Sequence, residues 1–368
     1  MKLTCQKSDL LNGVNTVLKA VSTRTTLPIL ECILLQATTD GFKLISNDLE
    51  LGIESNVQAT IEETGTVALK ARIFSEIVKK LPDNDVHITV DEKSYTTIKC
   101  EKSKFNISGQ SGEEFLQLPN VPKENGILIS QFKLREMIRQ TIFSIALEEI
   151  RPILTGELIE FKDNELNMVS LDVHRVSIRK MDFESALQNM VVVVPGKTLS
   201  EISKILDADD EKDVQIYFSD KHILFELEDS IIVSRLLEGD FPKYEQFFSK
   251  DYDTLVKINK QELFMSIDRA ALISRESKKN PIKMTIKDNS MIITSNTELG
   301  DVYEEIDIEK EGNPLEIAFN PKYFMDALKV IDDDYIHLQF TNPHSPCMIL
   351  PEDGDDYKYL IVPIRIRA

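Results

Sequence analysis

The tetrapeptide Asp172-Val173-His174-Arg175 is the place in this 368-residue sequence where side chains suited to chemistry stand closest together. An aspartate and a histidine two residues apart can bind a metal ion or transfer protons, which makes a metal-dependent nuclease or hydrolase one hypothesis. No acidic or histidine-bearing partner motif is evident elsewhere in the sequence. The alternative is a turn at the end of a strand, where these side chains hydrogen-bond to nearby backbone, and the sequence favours this second interpretation.

Other signatures of chemistry are absent. The sequence has no GxxxxGK[ST] or GxGxxG phosphate-binding loop and no GxSxG nucleophile elbow. No two histidines have metal-ligand spacing, and no two cysteines form a CxxC pair, so we expect buried free thiols, no metal and no cofactor. The residues concerned are His87, His174, His222, His337 and His344, and Cys5, Cys32, Cys100 and Cys347.

The elements that must position the tetrapeptide recur three times, with a period of roughly 125 residues. Each copy opens with an amphipathic helix. A proline follows this helix (Pro28, Pro152 and Pro281), and an alternating strand comes next. The serines that close these strands are Ser46, Ser170 and Ser295, which lie 124 and then 125 residues apart. In the first helix one face is apolar, formed by Leu10, Val14, Val17, Leu18 and Val21.

A second helix and paired strands complete each copy. The order of helix, strands, helix and strands predicts an α+β domain in which two helices pack on a β-sheet. Polar, proline-bearing segments interrupt the pattern between the copies. We therefore predict three repeated domains, over residues 1–125, 126–250 and 251–368.

Charge is distributed unevenly over these elements. The whole chain has a formal net charge of −19, which by itself argues against a protein that adheres to nucleic acid. The six predicted helix segments (7–20, 72–81, 131–145, 197–206, 260–276 and 322–331) nevertheless hold 15 Lys and Arg against 8 Asp and Glu. Lys and Arg are good helix formers, but Glu is an equally good one and is not enriched. The pattern favours a functional basic face on the helices.

The two ends of the chain also carry information. The N-terminal segment lacks the apolar core of a signal peptide, and no run approaches the ~20 apolar residues that cross a bilayer, so we expect a cytoplasmic protein. The C-terminal segment Tyr359-Leu360-Ile361-Val362-Pro363-Ile364-Arg365 stays apolar almost to the last residues. It is either a final sheet strand or the lining of a groove for a partner peptide, and the sequence leaves both open.

Over its whole length the chain resembles the bacterial DNA polymerase III beta subunit, the sliding clamp. The stretches that carry the resemblance occur in order on the triplicated scaffold: 26–30 (TLPIL), 172–175 (DVHR), 239–244 (GDFPKY), 319–323 (FNPKY) and 362–365 (VPIR). The resemblance implies a head-to-tail homodimer whose six similar domains form a closed ring around duplex DNA, without sequence preference. It also implies that the chain performs no chemistry, is loaded by an ATP-driven loader complex and tethers the polymerase.

The resemblance further implies a pocket between the second and third domains that binds short linear motifs of polymerases, the loader and repair proteins. Its apolar members would bury hydrophobic side chains, and His174, Asn320 and Tyr323 would fix polar groups. The implied lining is Leu154, Leu171, His174, Arg175, Val176, Pro242, Phe247, Asn320, Tyr323, Val362, Pro363, Ile364 and Arg365.

Two further surfaces follow from the resemblance. Arg24 resembles a DNA-contacting arginine, and the helical residues expected to face DNA are Arg72, Lys79, Lys80, Arg135, Arg139, Lys197 and Lys204. The edge strand 102–107, with Lys102, Lys104, Phe105 and Ile107, would join the third domain of the other subunit. There we expect Leu272 and Ile273 to supply the apolar contact and Glu298, Asp301, Glu304 and Glu305 to lie opposite the lysines.

Several residues depart from the family pattern. Val173 stands where the family usually has glycine, and Gln246 replaces a frequent arginine at the rim of the pocket. Glu148 and Glu149 occupy a loop that reaches DNA in some members, and Arg367-Ala368 extends past the usual end. A protein scaffold that does not bind DNA, built from the same repeat, is the remaining alternative.

Overall fold

A computed structural model of the chain describes residues 1–22, 25–147, 150–162, 164–183, 190–248, 251–274 and 281–365. Six α-helices lie in these residues, two in each predicted repeat, as the sequence predicts. Their bounds are α1 Lys7–Val17, α2 Ala71–Lys80, α3 Gln131–Thr141, α4 Gly196–Ile202, α5 Lys260–Ser274 and α6 Pro321–Leu328.

One structural unit comprises Met1–Lys133 together with Glu201–Leu236. It contains a five-stranded antiparallel sheet in the order β5-β1-β7-β8-β9 and a nine-stranded sheet in the order β10-β6-β2-β3-β4-β18-β17-β16-β11. The strands are β1 Lys2–Gln6, β2 Cys32–Thr38, β3 Gly41–Asn47, β4 Leu51–Val57, β5 Ala59–Glu63, β6 Gly65–Lys70, β7 Asp85–Val90, β8 Tyr95–Cys100, β9 Ser103–Ser108, β10 Gln110–Ser111, β11 Ile127–Ser130, β16 Asp213–Phe218, β17 His222–Glu226 and β18 Ser230–Arg235.

The other unit comprises Leu134–Ser200 together with Leu237–Ala368. Its nine-stranded sheet has the order β15-β12-β13-β14-β27-β26-β25-β19-β23, and its four-stranded sheet has the order β22-β21-β20-β24. The strands are β12 Gly156–Lys162, β13 Glu165–Leu171, β14 Arg175–Asp182, β15 Met190–Pro195, β19 Thr254–Asn259, β20 Ile282–Ile286, β21 Ser290–Thr297, β22 Gly300–Asp307, β23 Glu309–Gly312, β24 Leu315–Phe319, β25 Tyr335–Phe340, β26 Cys347–Pro351 and β27 Tyr357–Ile361.

Equivalent hydrogen bonds confirm the repeat. The buried hydroxyl of Ser46, on β3, donates to the carbonyl oxygen of Val17 at the end of α1. The buried hydroxyl of Ser170, on β13, donates to the carbonyl oxygen of Thr141 at the end of α3. Donor and acceptor are each displaced by 124 residues between the two copies, so the sequence period is also a structural period.

Apolar helix faces form the cores, as the periodicity predicts. Leu10, Val14 and Val17 of α1 are fully buried, and so are Phe74 and Val78 of α2. In the third repeat the buried cluster includes Leu263 and Ile267 of α5 with Phe324 and Leu328 of α6. Fully burying a side chain of this kind stabilises the fold by about 1.5–3 kcal/mol.

The charge excess of the helices is smaller than the sequence segments suggested. Within the observed bounds the six helices hold 11 Lys and Arg against 7 Asp and Glu, a net of +4 instead of +7. Lys19, Lys204 and Lys329 follow the helix ends, where basic side chains interact favourably with the helix dipole. Arg275 and Glu276 lie outside the described residues. The remaining net positive charge of the helices belongs to α2 and α3.

The C-terminal segment begins as a final sheet strand, which is one of the two interpretations that the sequence left open. Its first part is the strand β27, which pairs with β14 on one side and with β26 on the other. The strand ends at Ile361, and residues 362–365 leave the sheet. Strand β27 thereby joins the second repeat to the third in one continuous sheet.

Candidate functional site

A cavity of about 540 Å³ lies where β14 meets β27, and we call it the junction pocket. Its walls are mainly apolar. Seven of the predicted residues line it: Leu154, Leu171, Arg175, Val176, Pro242, Phe247 and Val362. The other lining residues are Ala146, Ile150, Arg151, Asp172, Val173, Pro346 and Leu360.

The Asp-x-His-Arg tetrapeptide forms a capped turn at the mouth of this pocket. Asp172 Oδ1 accepts hydrogen bonds from the backbone N–H groups of His174 and Arg175, at 2.7 and 3.0 Å. Asp172 Oδ2 accepts from Arg175 Nε at 3.1 Å. Both carboxyl oxygens are therefore engaged in holding the turn, as the structural alternative to a catalytic dyad predicted.

Arg175 is a buried cation in the lining of the pocket, and only 6% of its surface is exposed. Besides its pair with Asp172, its Nη1 donates to Asp326 Oδ2 on α6 at 2.7 Å. Its guanidinium carbon lies 4.8 Å from the ring centroid of Tyr323 and 5.5 Å from that of Phe143. A planar guanidinium can pair with carboxylates and stack on aromatic rings at the same time, which explains arginine at this position.

Tyr323 and His174 lie next to Arg175 but, like the predicted residues Asn320, Pro363, Ile364 and Arg365, are not among the residues that line the cavity. Their rings stack with centroids 5.5 Å apart. Burial raises the pKa of the Tyr323 phenol, so the side chain remains a neutral hydrogen-bond donor and acceptor. The third polar residue of the prediction, Asn320, caps α6, because its side-chain oxygen accepts from the N–H of Lys322 at 3.0 Å.

The segment after β27 is fixed by backbone hydrogen bonds. The N–H of Val362 donates to the carbonyl oxygen of His174 at 2.8 Å, and the N–H of Ile364 donates to that of Ala318 at 2.7 Å. These bonds place Val362 in the pocket wall and hold Pro363 and Ile364 beside it. Arg365 is exposed at the end of the described chain, and Arg367 and Ala368 lie outside the described residues.

Two lining residues of the pocket, and Leu147 next to the lining residue Ala146, are largely exposed. Leu147, Ile150 and Val173 have exposed fractions of 84, 85 and 82%. Isolated exposed apolar residues are normal, but a group of them beside an apolar cavity is typical of a binding site. Glu148 and Glu149, between Leu147 and Ile150, lie outside the described residues.

The predicted DNA-facing residues differ in how far their charge is already paired within the chain. Arg72, Lys79, Lys80, Lys197 and Lys204 are exposed, whereas Arg135 and Arg139 are half-buried. Arg139 Nη2 pairs with Glu136 and Asp332, at 2.5 and 3.0 Å. Lys204 pairs with Glu201 at 2.7 Å and Lys79 with Glu76 at 3.7 Å. Arg24 lies outside the described residues.

Among the strands that the structure describes, the two surfaces predicted to join subunits are both unpaired sheet edges. Strand β9 is the last strand of its sheet, and it carries Lys104, Phe105 and Ile107, with Lys102 in the turn before it. Unpaired edge strands offer N–H and C=O groups to another chain.

Strand β22 is likewise the last strand of the four-stranded sheet. Beside it, Leu272 is exposed and Ile273 half-buried on α5, and Glu298 is exposed in the turn before the strand. Glu304 differs from the expectation, because Arg269 of the same chain pairs with it at 2.5 Å. The hydrogen bonds from Arg269 lower the pKa of Glu304.

Three models of protein families match the chain in succession. They are the N-terminal, central and C-terminal domains of the DNA polymerase III beta subunit, over residues 1–119, 128–243 and 245–365. The chain belongs to the DNA polymerase III beta subunit family.

Beta subunits from other bacteria are similar over the full length. Proteins described as beta sliding clamps from Staphylococcus aureus and Staphylococcus epidermidis are each 37% identical over 375 residues, with 99% of both chains covered. The crystal structure of a DNA polymerase III beta subunit from Eubacterium rectale is 51% identical, with a TM-score of 0.97. That of the DNA polymerase sliding clamp from Bacillus subtilis is 38% identical, with a TM-score of 0.96. Both structures are covered completely, as is the present chain.

Family membership decides between the hypotheses from the sequence. The chain is a DNA sliding clamp, a non-catalytic processivity factor of DNA polymerase III, and not a hydrolase or a scaffold unrelated to DNA. In the part of the chain that the structure describes, no three His, Cys, Asp or Glu side chains are grouped as metal ligands would be. None of the described helices is long and apolar enough to span a membrane.

Several residues that line the junction pocket were not predicted from the sequence. Ile150 and Arg151 directly precede Pro152, which marks the second repeat, so their closeness to Leu154 in the sequence was a usable signal. Leu360 was visible as part of the apolar C-terminus. Pro346 gave no signal, because it precedes β26 and reaches the pocket only through the long-range pairing of β26 with β27.

Proposed function

We propose that the junction pocket is where the clamp binds short linear motifs of polymerases, the clamp loader and repair proteins. The observation that carries this proposal is an open apolar cavity of about 540 Å³ with a few convergent polar groups. Such a combination is typical of sites that bury hydrophobic side chains and orient them through polar contacts.

Separate roles follow from the positions of the lining residues. Leu154, Leu171, Val176, Pro242, Phe247 and Val362 bury the hydrophobic side chains of the motif. Arg175 is a positioning residue, because its charge is paired with Asp172 and Asp326 and its guanidinium supports Tyr323. His174, Asn320 and Tyr323 fix polar groups of the peptide, and Pro363, Ile364 and Arg365 extend the wall.

The test combines Tyr323→Ala with deletion of the chain from Val362 onward. The probe is a fluorescent peptide carrying the clamp-binding motif of the replicative polymerase from the same organism. Fluorescence polarisation should show no binding to this variant, whereas Tyr335→Ala, at an exposed tyrosine of β25, should bind like the wild type. Unchanged affinity in the truncated variant would move the peptide site elsewhere.

The DNA-facing surface is proposed on the helices. Arg72, Lys79, Lys80, Arg135 and Lys197, together with Lys204 just after α4 and Arg24, which precedes Pro28 in the sequence, contact the phosphate backbone without reading bases. Arg139 contributes less than the others, since two carboxylates of the chain already neutralise it. Weak attraction suffices, because a closed ring cannot leave an intact DNA circle even when its contacts to the phosphates are few.

The subunit contact is proposed between the free edge β9 of one copy and the free edge β22 of the other. Phe105 and Ile107 then meet Leu272 and Ile273, while Lys102 and Lys104 face Glu298 and neighbouring carboxylates. Glu304 takes part only if its pair with Arg269 rearranges. Because the two surfaces are different, the contact is head-to-tail, and by analogy with the family we propose that it closes into a ring after two copies of three domains.

We also propose the bounds of the domains and the compartment in which the clamp works. The domains are bounded at 1–125, 126–250 and 251–368, in keeping with the order of the three family models. The clamp works in the cytoplasm, where bacterial DNA is replicated.

A further inference from the structure

A second concave surface, which we call the adjoining groove, lies on the same sheet as the junction pocket. It has a volume of about 490 Å³, and its apolar floor is formed by Ile178 of β14, Met348 and Leu350 of β26 and the ring of Phe248. No part of the function proposed so far uses it. Three lysines and three glutamates, among them Lys180 and Lys358, surround this floor.

Alternation along the strands puts the groove and the pocket on one face of the sheet. Val176 lines the pocket and Ile178, two residues later on β14, lines the groove. Two residues of a strand span about 7 Å and point to the same side. Leu360 of the pocket is the direct cross-strand partner of Met348 of the groove, and such partners lie about 5 Å apart.

The segment 241–248 contributes side chains to both cavities. Its exposed Phe247 lines the junction pocket, whereas Phe248 lines the groove. Between them and the sheet, Tyr244 is buried and its hydroxyl donates to Glu160 Oε2 at 2.7 Å. This hydrogen bond holds the segment against β12, so one anchored segment lines both the pocket and the groove.

The ionic groups of the groove are balanced and largely satisfied within the chain. Lys180 pairs with Asp355 at 2.7 Å and with Glu165 at 3.9 Å, and Lys358 also faces Asp355 at 3.5 Å. Exposed pairs of this kind add little binding energy. Selectivity therefore comes from the apolar floor, and a leucine, isoleucine, methionine or phenylalanine side chain matches it.

We propose that the adjoining groove binds an apolar side chain of the same partner, in the segment that flanks the motif held by the junction pocket. The inference rests on the proposed function of the pocket, and continuity with the pocket identifies the occupant. Partners with such a flanking residue bind the clamp more tightly than partners that present the motif alone.

The experiment uses the full-length clamp and a peptide scan. The core peptide is the clamp-binding motif of the same organism's replicative polymerase, and the extended peptides add eight Ser and Gly residues at each end. In each extended peptide one flanking position in turn is Leu. Fluorescence polarisation should show about tenfold tighter binding for Leu at one position or two neighbouring positions.

Two clamp variants connect that gain to the groove. Leu350→Asp should abolish the gain and leave the affinity of the core peptide unchanged. Leu128→Asp, at an exposed leucine of β11, should change neither. The inference is overturned if no Leu position improves binding while the core peptide still binds, or if the gain survives Leu350→Asp.

Other outcomes separate the groove from the pocket and from a different occupant. If the core peptide does not bind the wild-type clamp at all, the proposed function of the pocket has failed and the inference with it. If Leu350→Asp instead abolishes assembly of clamp rings with each other in analytical ultracentrifugation, the occupant is a second copy of the chain. That result would also overturn the inference.

Discussion

The junction between the first and second repeats and the junction between the second and third are built alike but end differently. In each, an aspartate caps the turn before the joining strand. Asp48 accepts from the N–H groups two and three residues later at 3.1 and 2.8 Å, and Asp172 does so at 2.7 and 3.0 Å. In each, the following strand pairs with a strand of the next repeat, β4 with β18 and β14 with β27.

Side chains at equivalent positions, 124 residues apart, make the difference. Asn47 corresponds to Leu171, Leu51 to Arg175 and Gly52 to Val176. At the first junction Gly52 leaves room for Leu118, and a Cβ at position 52 would collide with the Cδ2 of that leucine. Asn47 Nδ2 donates to the carbonyl oxygen of Leu116 at 3.4 Å and holds the covering segment. The first junction is closed by its own chain.

At the second junction the same positions leave the site open. Leu171 and Val176 form apolar walls of the pocket, and Arg175 replaces a buried leucine with a cation that supports Tyr323. The two junctions share the same repeated scaffold. Three substitutions and one covering segment decide whether the junction is filled by the chain itself or remains an open cavity.

Removing the buried cation Arg175 should have the largest effect on stability. Arg175→Leu, which copies the first junction, leaves Asp172 and Asp326 without their partner, and breaking a buried ion pair from one side costs about 3 kcal/mol. Urea denaturation should show this loss in the free energy of unfolding, and peptide affinity should fall as well. Adding Asp326→Asn should restore part of the stability. An unchanged unfolding curve for Arg175→Leu would show that the cation does not organise the junction.

Filling the glycine position should be the next largest perturbation. Gly52→Val, which copies the second junction, must displace the methyl end of the half-buried Leu118, so the cost lies near the lower end of the range for overpacking, about 1 kcal/mol. Thermal and urea unfolding measure the loss. Leu118→Ala in the same chain should recover much of it by removing the obstructing side chain. If the double variant is no more stable than Gly52→Val, then Leu118 is not what closes the first junction.

The fully buried Glu157 of the second repeat stands at the position where the first repeat has Ile33. It is hydrogen-bonded to Thr141, and its Oε2 has no hydrogen-bond partner among the described residues. Burial raises the pKa of Glu157 to about 8. The folded state therefore holds a proton that the unfolded state releases near its ordinary pKa, and stability falls as pH rises between these two values.

The expected fall is ~1 kcal/mol per pH unit between about pH 6 and about pH 8. Glu157→Gln, which resembles the protonated acid, should flatten this dependence and raise the free energy of unfolding at about pH 8. Glu160→Gln on the same strand provides a control, although it also removes an acceptor of Tyr244. A wild-type stability that does not decline over this range would show that Glu157 is ionised in the fold.

The smallest expected effect is at the exposed rim. Val173→Gly removes an apolar side chain from the mouth of the junction pocket without changing the buried core, so stability should change by no more than about 0.5 kcal/mol. Peptide affinity should fall by about twofold to threefold, because only part of one side chain covers the peptide. Isothermal titration calorimetry resolves this difference. Tighter binding by the glycine variant would mean that Val173 obstructs the pocket.

Much of the fold could be predicted from the sequence because it depends on local periodicity. The six helices, the edge strand β9 and the turn before Arg175 all follow from apolar spacing and turn residues. The basic excess of the helices was overestimated, since several lysines follow the helix ends.

The pocket could be predicted only in part. Leu154 and Val362 were expected in the pocket from the family resemblance, but Pro346 meets them only through pairings between strands far apart in the chain. The difference between the closed and the open junction was also invisible, since it depends on where Leu118 packs, on a segment without regular secondary structure.

Encirclement of DNA is tested most directly by cutting the DNA. The clamp is loaded by its loader complex onto a nicked circular plasmid, isolated by gel filtration and then treated with an enzyme that linearises the plasmid at one site. We predict that the clamp stays with the intact circle and is lost from the linear form, because topology and not surface affinity retains a chain of net charge −19. Equal retention on both forms would contradict it.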